Sequence, residues 1–311
     1  MSERPRPGNY LAPRYWPVWI GFGMLRMVVL LPHPVRLWLG RLIGRLGHAV
    51  AGSRRAVVRR NIELCFPELT VDQQRDLARR HFEALGMSVI ELGMARWLSA
   101  ARVEKLVRRE GAQHVHDAMA AGHGVILLSA HFTTLEWSAV GLSGQIPPFD
   151  AVYRRNRSEF ITELLRAGRE RHADSTIEKR DIRRMVRNLR DGRPVWYAPD
   201  QSFDRKGAVI VQFFGVPCTQ TPAASTLARL GKAVVLPYLP RRLDDGTYEM
   251  RILPPLENFP TGDDVADTQR YNDLLEDFVR TCPEQYFWIH RKFKNLPEGY
   301  PDYYADLDAL K

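Results

Sequence analysis

The feature that most restricts the fold of this chain is a change of pattern at Gly124. From there short apolar runs succeed one another, GVILLSA, FDAVY, PVWYA, VIVQFF, AVVLPYL, YEMRIL and finally YFWIH, and most have the length and composition of strands. Stretches with helical spacing lie between several of them, at 158–171, from Asp181 to Leu189 and from Ala223 to Leu230. Strands alternating with helices predict an α/β fold, with a mainly parallel or mixed central sheet flanked by helices.

Upstream of the strands the chain reads as helix. Thr70 and Gln73 form a capping box before QRDLARRHFEALGMSVIELGMARWL, where apolar residues return every three or four positions. The run from Trp16 to Leu31 is shorter than the ~20 residues that span a bilayer and carries Arg26, while Tyr15, Trp16 and Trp19 crowd one end as at a membrane interface. VRLWLGRLIGRLGHAV follows, with Arg36, Arg41 and Arg45 expected along one side, and then the cluster Arg54, Arg55, Arg59 and Arg60. The basic start, MSERPRPGNYLAPRYW, has no small-residue cleavage site and is not read as a removable signal. The expected division is a membrane anchor with basic interfacial helices over 1–60, and an α/β domain over 61–311 with a helical layer at 61–120.

The 45 Lys and Arg outnumber the 36 Asp and Glu, which favours anionic partners without choosing among phospholipids, phosphorylated glycolipids, nucleic acids and acidic proteins. The three cysteines stand far apart without metal spacing, and neither a disulfide framework nor a structural zinc is expected. GxSxG and Walker A loops are absent, as is HExxH. These absences argue against a serine hydrolase, a P-loop enzyme and a zinc hydrolase.

The residues that suggest chemistry sit at strand ends. GVILLSA runs into His131, and FTTLEWSAVGL then begins a helix, so HFTTLE places His131 in a strand-to-helix turn with Glu136 just over one turn further on. In α/β sheets such strand ends hold ligands. A neutral imidazole is the side chain best matched to removing a proton from an alcohol at neutral pH, and a carboxylate on its other nitrogen fixes the tautomer. His131 and Glu136 are therefore read as base and orienter, with the nucleophilic hydroxyl supplied by the substrate. A structural histidine is the commoner fate of such a pair. Other strand ends carry VYRRNR, which offers Tyr153, Arg154, Arg155, Asn156 and Arg157 to phosphate or carbonyl oxygens, and WYAPDQSFDRKG, which offers Asp200 and Gln201.

Taken together, PRYWPVW near the start, RRNIELCFPEL at 59–69, HFTTLE at 131–136, VYRRN at 152–156, VWYAPDQ at 195–201, LPYLPRR at 236–242 and PEQYFWIHRKFKNLPEG at 283–299 resemble the bacterial lipid A biosynthesis acyltransferases, the lauroyl and myristoyl transferases of lipopolysaccharide assembly, within the lysophospholipid acyltransferase-like superfamily. The resemblance covers nearly the whole chain. It implies a glycerolipid acyltransferase-like fold and transfer of a fatty acyl group, of lauroyl type or similar, from acyl carrier protein to a hydroxyacyl chain of a phosphorylated Kdo2-lipid IVA-type precursor. It also implies His131 as general base, Glu136 as its orienter, and Tyr153, Arg154, Asn156 and Asp200 as substrate-binding residues. No metal, no added cofactor and no nucleic acid partner is expected, and the implied location is the cytoplasmic face of the bacterial inner membrane, by a single-pass or monotopic N-terminal anchor. Arg155 departs from the proline usual after Tyr-Arg.

The carrier protein of this class is acidic, and DIRRMVRNLR is expected to turn Ile182, Met185, Val186 and Leu189 inward and Arg183, Arg187 and Arg190 outward as its docking face. The alternatives are a related phospholipid or glycolipid O-acyltransferase and a non-catalytic membrane-surface binding protein.

Overall fold

The computed structural model describes residues 10–156 and 158–308. The basic N-terminal segment up to residue 9 and Arg157 of the VYRRNR cluster lie outside these described residues. The helical front comprises α1 (Trp16–Val29), α2 (His33–Val50), α3 (Gly52–Cys65), α4 (Val71–Trp97) and the short α5 (Ala100–Glu104). Then come β1 (Val107–Glu110), α6 (Ala112–Ala120), β2 (Gly124–Leu128), α7 (Leu135–Leu142), β3 (Asp150–Tyr153), α8 (Glu159–Arg169), β4 (Ser175–Glu178), α9 (Ile182–Arg190) and β5 (Pro194–Tyr197). A hairpin, β6 (Val209–Phe213) with β7 (Val216–Gln220), precedes α10 (Ala223–Gly231), β8 (Ala233–Arg242), β9 (Tyr248–Ile252), α11 (Asp264–Thr281) and α12 (Ala305–Asp308).

Seven strands form one sheet in the order β1-β9-β8-β2-β5-β3-β4, and every neighbouring pair is parallel except β8 with β9. The fold is thus α/β with a mostly parallel central sheet flanked by helices. β2 lies at its middle, buried along its whole length, and its side chains divide by the period of two. Ile126 and Leu128 face the core shared with α3, α9, α10 and α11, whereas Val125 and Leu127 face that shared with α6 and α7. A strand covered on both faces must be continuously apolar, which is why GVILL stands out.

β1 (VRRE) and β4 (STIE) have no counterpart among the apolar runs. They are the two edges of the sheet, and an edge strand with one neighbour and an exposed side tolerates charge. The expected last strand, YFWIH, is also absent. Tyr286 makes a single bridge to Phe132, and the chain then turns, because the segment's backbone is spent on the loop after β2 rather than on a ladder. Phe287 N–H donates to the His131 carbonyl at 3.0 Å, and Thr133 N–H to the Gln285 carbonyl at 2.8 Å. Asn61 of α3, fully buried, donates to the carbonyls of Trp288 at 2.6 Å and His290 at 2.8 Å. RRNIELCFPEL and PEQYFWIHRKFKNLPEG are therefore one structural unit, clamped beneath the turn that carries His131.

The capping box of α4 forms as expected, with Thr70 N–H bonded to Gln73 Oε1 at 2.8 Å and Gln73 N–H to Thr70 Oγ1 at 3.3 Å. α2 packs on α4 through glycine: a Cβ on Gly44 would stand 2.1 Å from the Phe82 carbonyl oxygen, and one on Gly86 2.1 Å from that of Gly40. Only backbones without side chains approach so closely. This contact turns Trp38, Leu42, Ile43 and Leu46 outward. It also corrects the expected basic side of α2. Arg41 and Arg45 are exposed, but Arg36 is buried on the packed face. No helix among the described residues is long and apolar enough to cross a membrane.

Candidate active site

Because β2, β5 and β3 are adjacent and parallel, their C-terminal ends open on the same edge of the sheet. That register brings His131, Tyr153 with Arg154, and the Pro199–Gln201 turn to one cavity of about 730 Å³. His131 on its wall keeps 27% of its side chain exposed.

The carboxylate on His131 is Asp200. His131 Nδ1 lies 2.6 Å from Asp200 Oδ1, which also accepts the His131 backbone N–H at 3.1 Å. Tyr286 donates its hydroxyl to Asp200 Oδ2 at 3.1 Å, and the buried Lys292 ammonium donates to the Asp200 carbonyl at 2.5 Å. Burial opposes charge on Asp200, but the imidazole it bonds and the Lys292 ammonium outweigh burial and hold its carboxyl down at about 2. Asp200 is therefore ionised at neutral pH and accepts from Nδ1–H, which fixes the tautomer and leaves Nε2 for whatever occupies the cavity. The expectation that Asp200 contacts substrate is corrected: it is 1% exposed and sits behind His131.

Glu136 does not reach the imidazole. Its carboxylate takes both Nε and Nη2 of Arg169 at the end of α8, with Nε to Oε2 at 3.0 Å. The reason is local. Glu136 lies in the first turn of α7 and faces a crevice lined by Phe22, Leu164 and Arg169, and a guanidinium fork satisfies both its oxygens. Arg169 itself lines the main cavity, so Glu136 acts on that space through Arg169.

Tyr153, Arg154 and Asn156 line the cavity, and Arg155 is exposed to solvent away from it. Sequence reasoning missed the rest of the cationic wall: Arg166, Arg169, Lys179, Arg180, Arg205 and Lys294. Arg166 is neutralised by Glu163 and Glu170. Among the described residues none of Arg154, Lys179, Arg180, Arg205 and Lys294 forms a salt bridge. Burial, and then the charges of Arg154, Arg205 and Arg180, push the Lys179 ammonium below its ordinary value, with Asp204 opposing them. The helical stretch at 158–171 was the sequence signal for Arg166 and Arg169, but only the fold turns them toward the cavity.

No cysteine serves the cavity. Cys65, Cys218 and Cys282 are all buried away from it, and burial raises each thiol. Among the described residues no group of three or more His, Cys, Asp and Glu is placed to hold a metal ion. The arrangement can bind an anion, orient an imidazole and accept a proton at Nε2.

A family model described as bacterial lipid A biosynthesis acyltransferase matches residues 5–295. The chain belongs to that family. It is an acyltransferase, and the reading as a non-catalytic binding protein is set aside. The lipid A biosynthesis lauroyltransferase of Escherichia coli (strain K12) is 38% identical over 308 residues, covering 98% of this chain and all of that protein. The palmitoleoyltransferase of the same organism is 34% identical over 293 residues, 94% of this chain and 95% of its own, and its myristoyltransferase 25% over 298 residues, 94% and 91%. The cavity described above lies wholly inside the matched region.

Proposed function

We propose that this acyltransferase moves a fatty acyl chain from acyl carrier protein to the hydroxyl of a hydroxyacyl chain on a Kdo2-lipid IVA-type precursor, with His131 as general base. The observation that carries the reading is the buried Asp200 beneath His131 at the wall of a cationic cavity that no cysteine lines. A thioester is already activated, so the acceptor hydroxyl attacks its carbonyl carbon directly. His131 Nε2 takes the hydroxyl proton as the carbon–oxygen bond forms. Collapse of the tetrahedral intermediate then breaks the carbon–sulfur bond, and the proton passes from the imidazolium to the departing thiolate.

Arg154 with Tyr153 and Asn156 holds phosphate or the thioester carbonyl, and the unpaired cations around them suit a phosphorylated lipid. Glu136 serves as a positioning residue for Arg169. A lauroyl-type chain is favoured by the similarity to the lauroyltransferase.

Attachment to the cytoplasmic face of the inner membrane is monotopic in this reading. At 14 residues α1 is about 21 Å long, short of the ~30 Å hydrocarbon layer. Yet Trp16, Ile20, Met24 and Met27 on α1 and Trp38, Leu42 and Leu46 on α2 stand exposed, a patch fit for the head-group boundary.

The test is incubation of purified protein with Kdo2-lipid IVA and carrier protein loaded with lauroyl, myristoyl or palmitoleoyl groups, read by mass spectrometry. One added acyl group, lauroyl in preference, is expected. No acyl mass from any donor would overturn the substrate assignment.

A further inference from the structure

We infer that the outer face of α9, together with the edge of α10, is the surface on which the acidic carrier of the acyl thioester docks; this rests on the carrier-dependent reading above. α9 is held from behind, where Met185, Asn188 and Leu189 are buried against β2, β5 and α10. The sequence pattern also turns Ile182 and Val186 inward. The structure packs Val186 against the rim of the core and leaves Ile182 out. Ile182 is 36% exposed and Val186 is only partly covered, and with Leu230 of α10, 42% exposed, they floor a shallow groove of about 380 Å³.

Arg183, Arg187 and Arg190 rim that groove, with Asp191 at its end. Arg190 Nε donates to the Leu230 carbonyl at 2.8 Å, which braces the rim across the two helices. Among the described residues Arg183 and Arg187 form no salt bridge, so their charge is free to meet a partner. An apolar strip bordered by guanidinium groups matches a helix with an apolar ridge and flanking carboxylates. Phosphate groups alone would use the arginines and leave the apolar floor uncovered.

The groove also runs to the chemistry. Ile182 lines both the groove and the catalytic cavity, and Lys179 and Arg180, just before α9, line the cavity as well. A carrier seated on α9 therefore stands at the cavity mouth, where a flexible thioester arm enters past Ile182 toward His131.

The experiment uses the full-length protein carrying Arg183→Glu and Arg187→Glu. KM for acyl carrier protein thioester is expected to rise at least tenfold with kcat within twofold, and direct binding of the acyl carrier protein in a surface-plasmon assay is expected to weaken in parallel. Turnover of the same acyl group on pantetheine is expected to stay unchanged, and carrier variants with acidic helix residues changed to Lys are expected to recover part of the lost affinity. Unchanged KM and binding would overturn the assignment, as would an equal loss with both donors. Reduced binding to anionic vesicles with unchanged carrier KM would assign the face to lipid instead. Failure of the unsubstituted enzyme to use any carrier thioester would sink the carrier-dependent reading itself, a separate result.

Discussion

His131 and Asp200 stand 69 positions apart in the chain, yet Nδ1 of one lies 2.6 Å from Oδ1 of the other. The contact exists because β2 and β5 are parallel neighbours whose ends leave the sheet together. Asp200 is fully buried, and Tyr286 and Lys292 fix it from behind, so the imidazole has one orientation and one tautomer.

Asp200→Asn is therefore expected to lower kcat by about 10²- to 10⁴-fold, the range in which a correctly oriented base contributes, with KM for the lipid little changed. Glu136→Gln is expected to act differently. It weakens the fork to Arg169, and because Arg169 lines the cavity the loss falls on KM for the acceptor as well as on kcat. Steady-state kinetics on both variants separates the roles. A Glu136→Gln variant that lost only kcat, beside an active Asp200→Asn, would reverse the assignment.

The attraction of Glu136 in the sequence was proximity, since five positions is a short distance on paper. Asp200 was legible as an unusual strand-end residue, but the order of strands in a sheet is not written in the pattern of any one strand. The central strands were legible because burial on both faces demands continuous apolar runs. β1 and β4 were not, because an edge strand can be as polar as VRRE. YFWIH misled for the opposite reason: Tyr286 and Trp288 pack into the core while its backbone bonds to the β2 loop instead of a ladder.

A second expectation concerns pH. His81 is fully buried with Nδ1 3.0 Å from the Glu284 carbonyl, and burial lowers its imidazole to about 4. The unfolded chain takes up that proton near 6.5 and the folded one only near 4, so this group removes stability as pH falls through that window. Between pH 7 and 5 the loss is about 2 kcal/mol. His81→Gln, which keeps a donor for Glu284, is expected to show a shallower decline than the unsubstituted protein in urea melts at the two pH values. Parallel declines would refute the role of His81.

The exposed apolar side chains of α1 and α2 give a third. Changing Ile20, Met24, Trp38 and Leu46 to Ser together is expected to cut partition onto anionic vesicles at least tenfold, since each buried apolar side chain contributes about 1.5 to 3 kcal/mol. Their outward direction predicts little change in thermal stability. Sedimentation with vesicles reads the first quantity and a melting curve the second. Undiminished binding would show that these helices face something other than lipid.

The central claim is that His131 takes the proton of the acceptor hydroxyl. Single-turnover acyl transfer by His131→Ala, with carrier thioester and lipid acceptor both saturating, tests it most directly. The predicted result is a rate at least about 10²-fold below that of the unsubstituted enzyme, with acceptor binding and melting temperature preserved. A rate within a few-fold of the unsubstituted enzyme would contradict it.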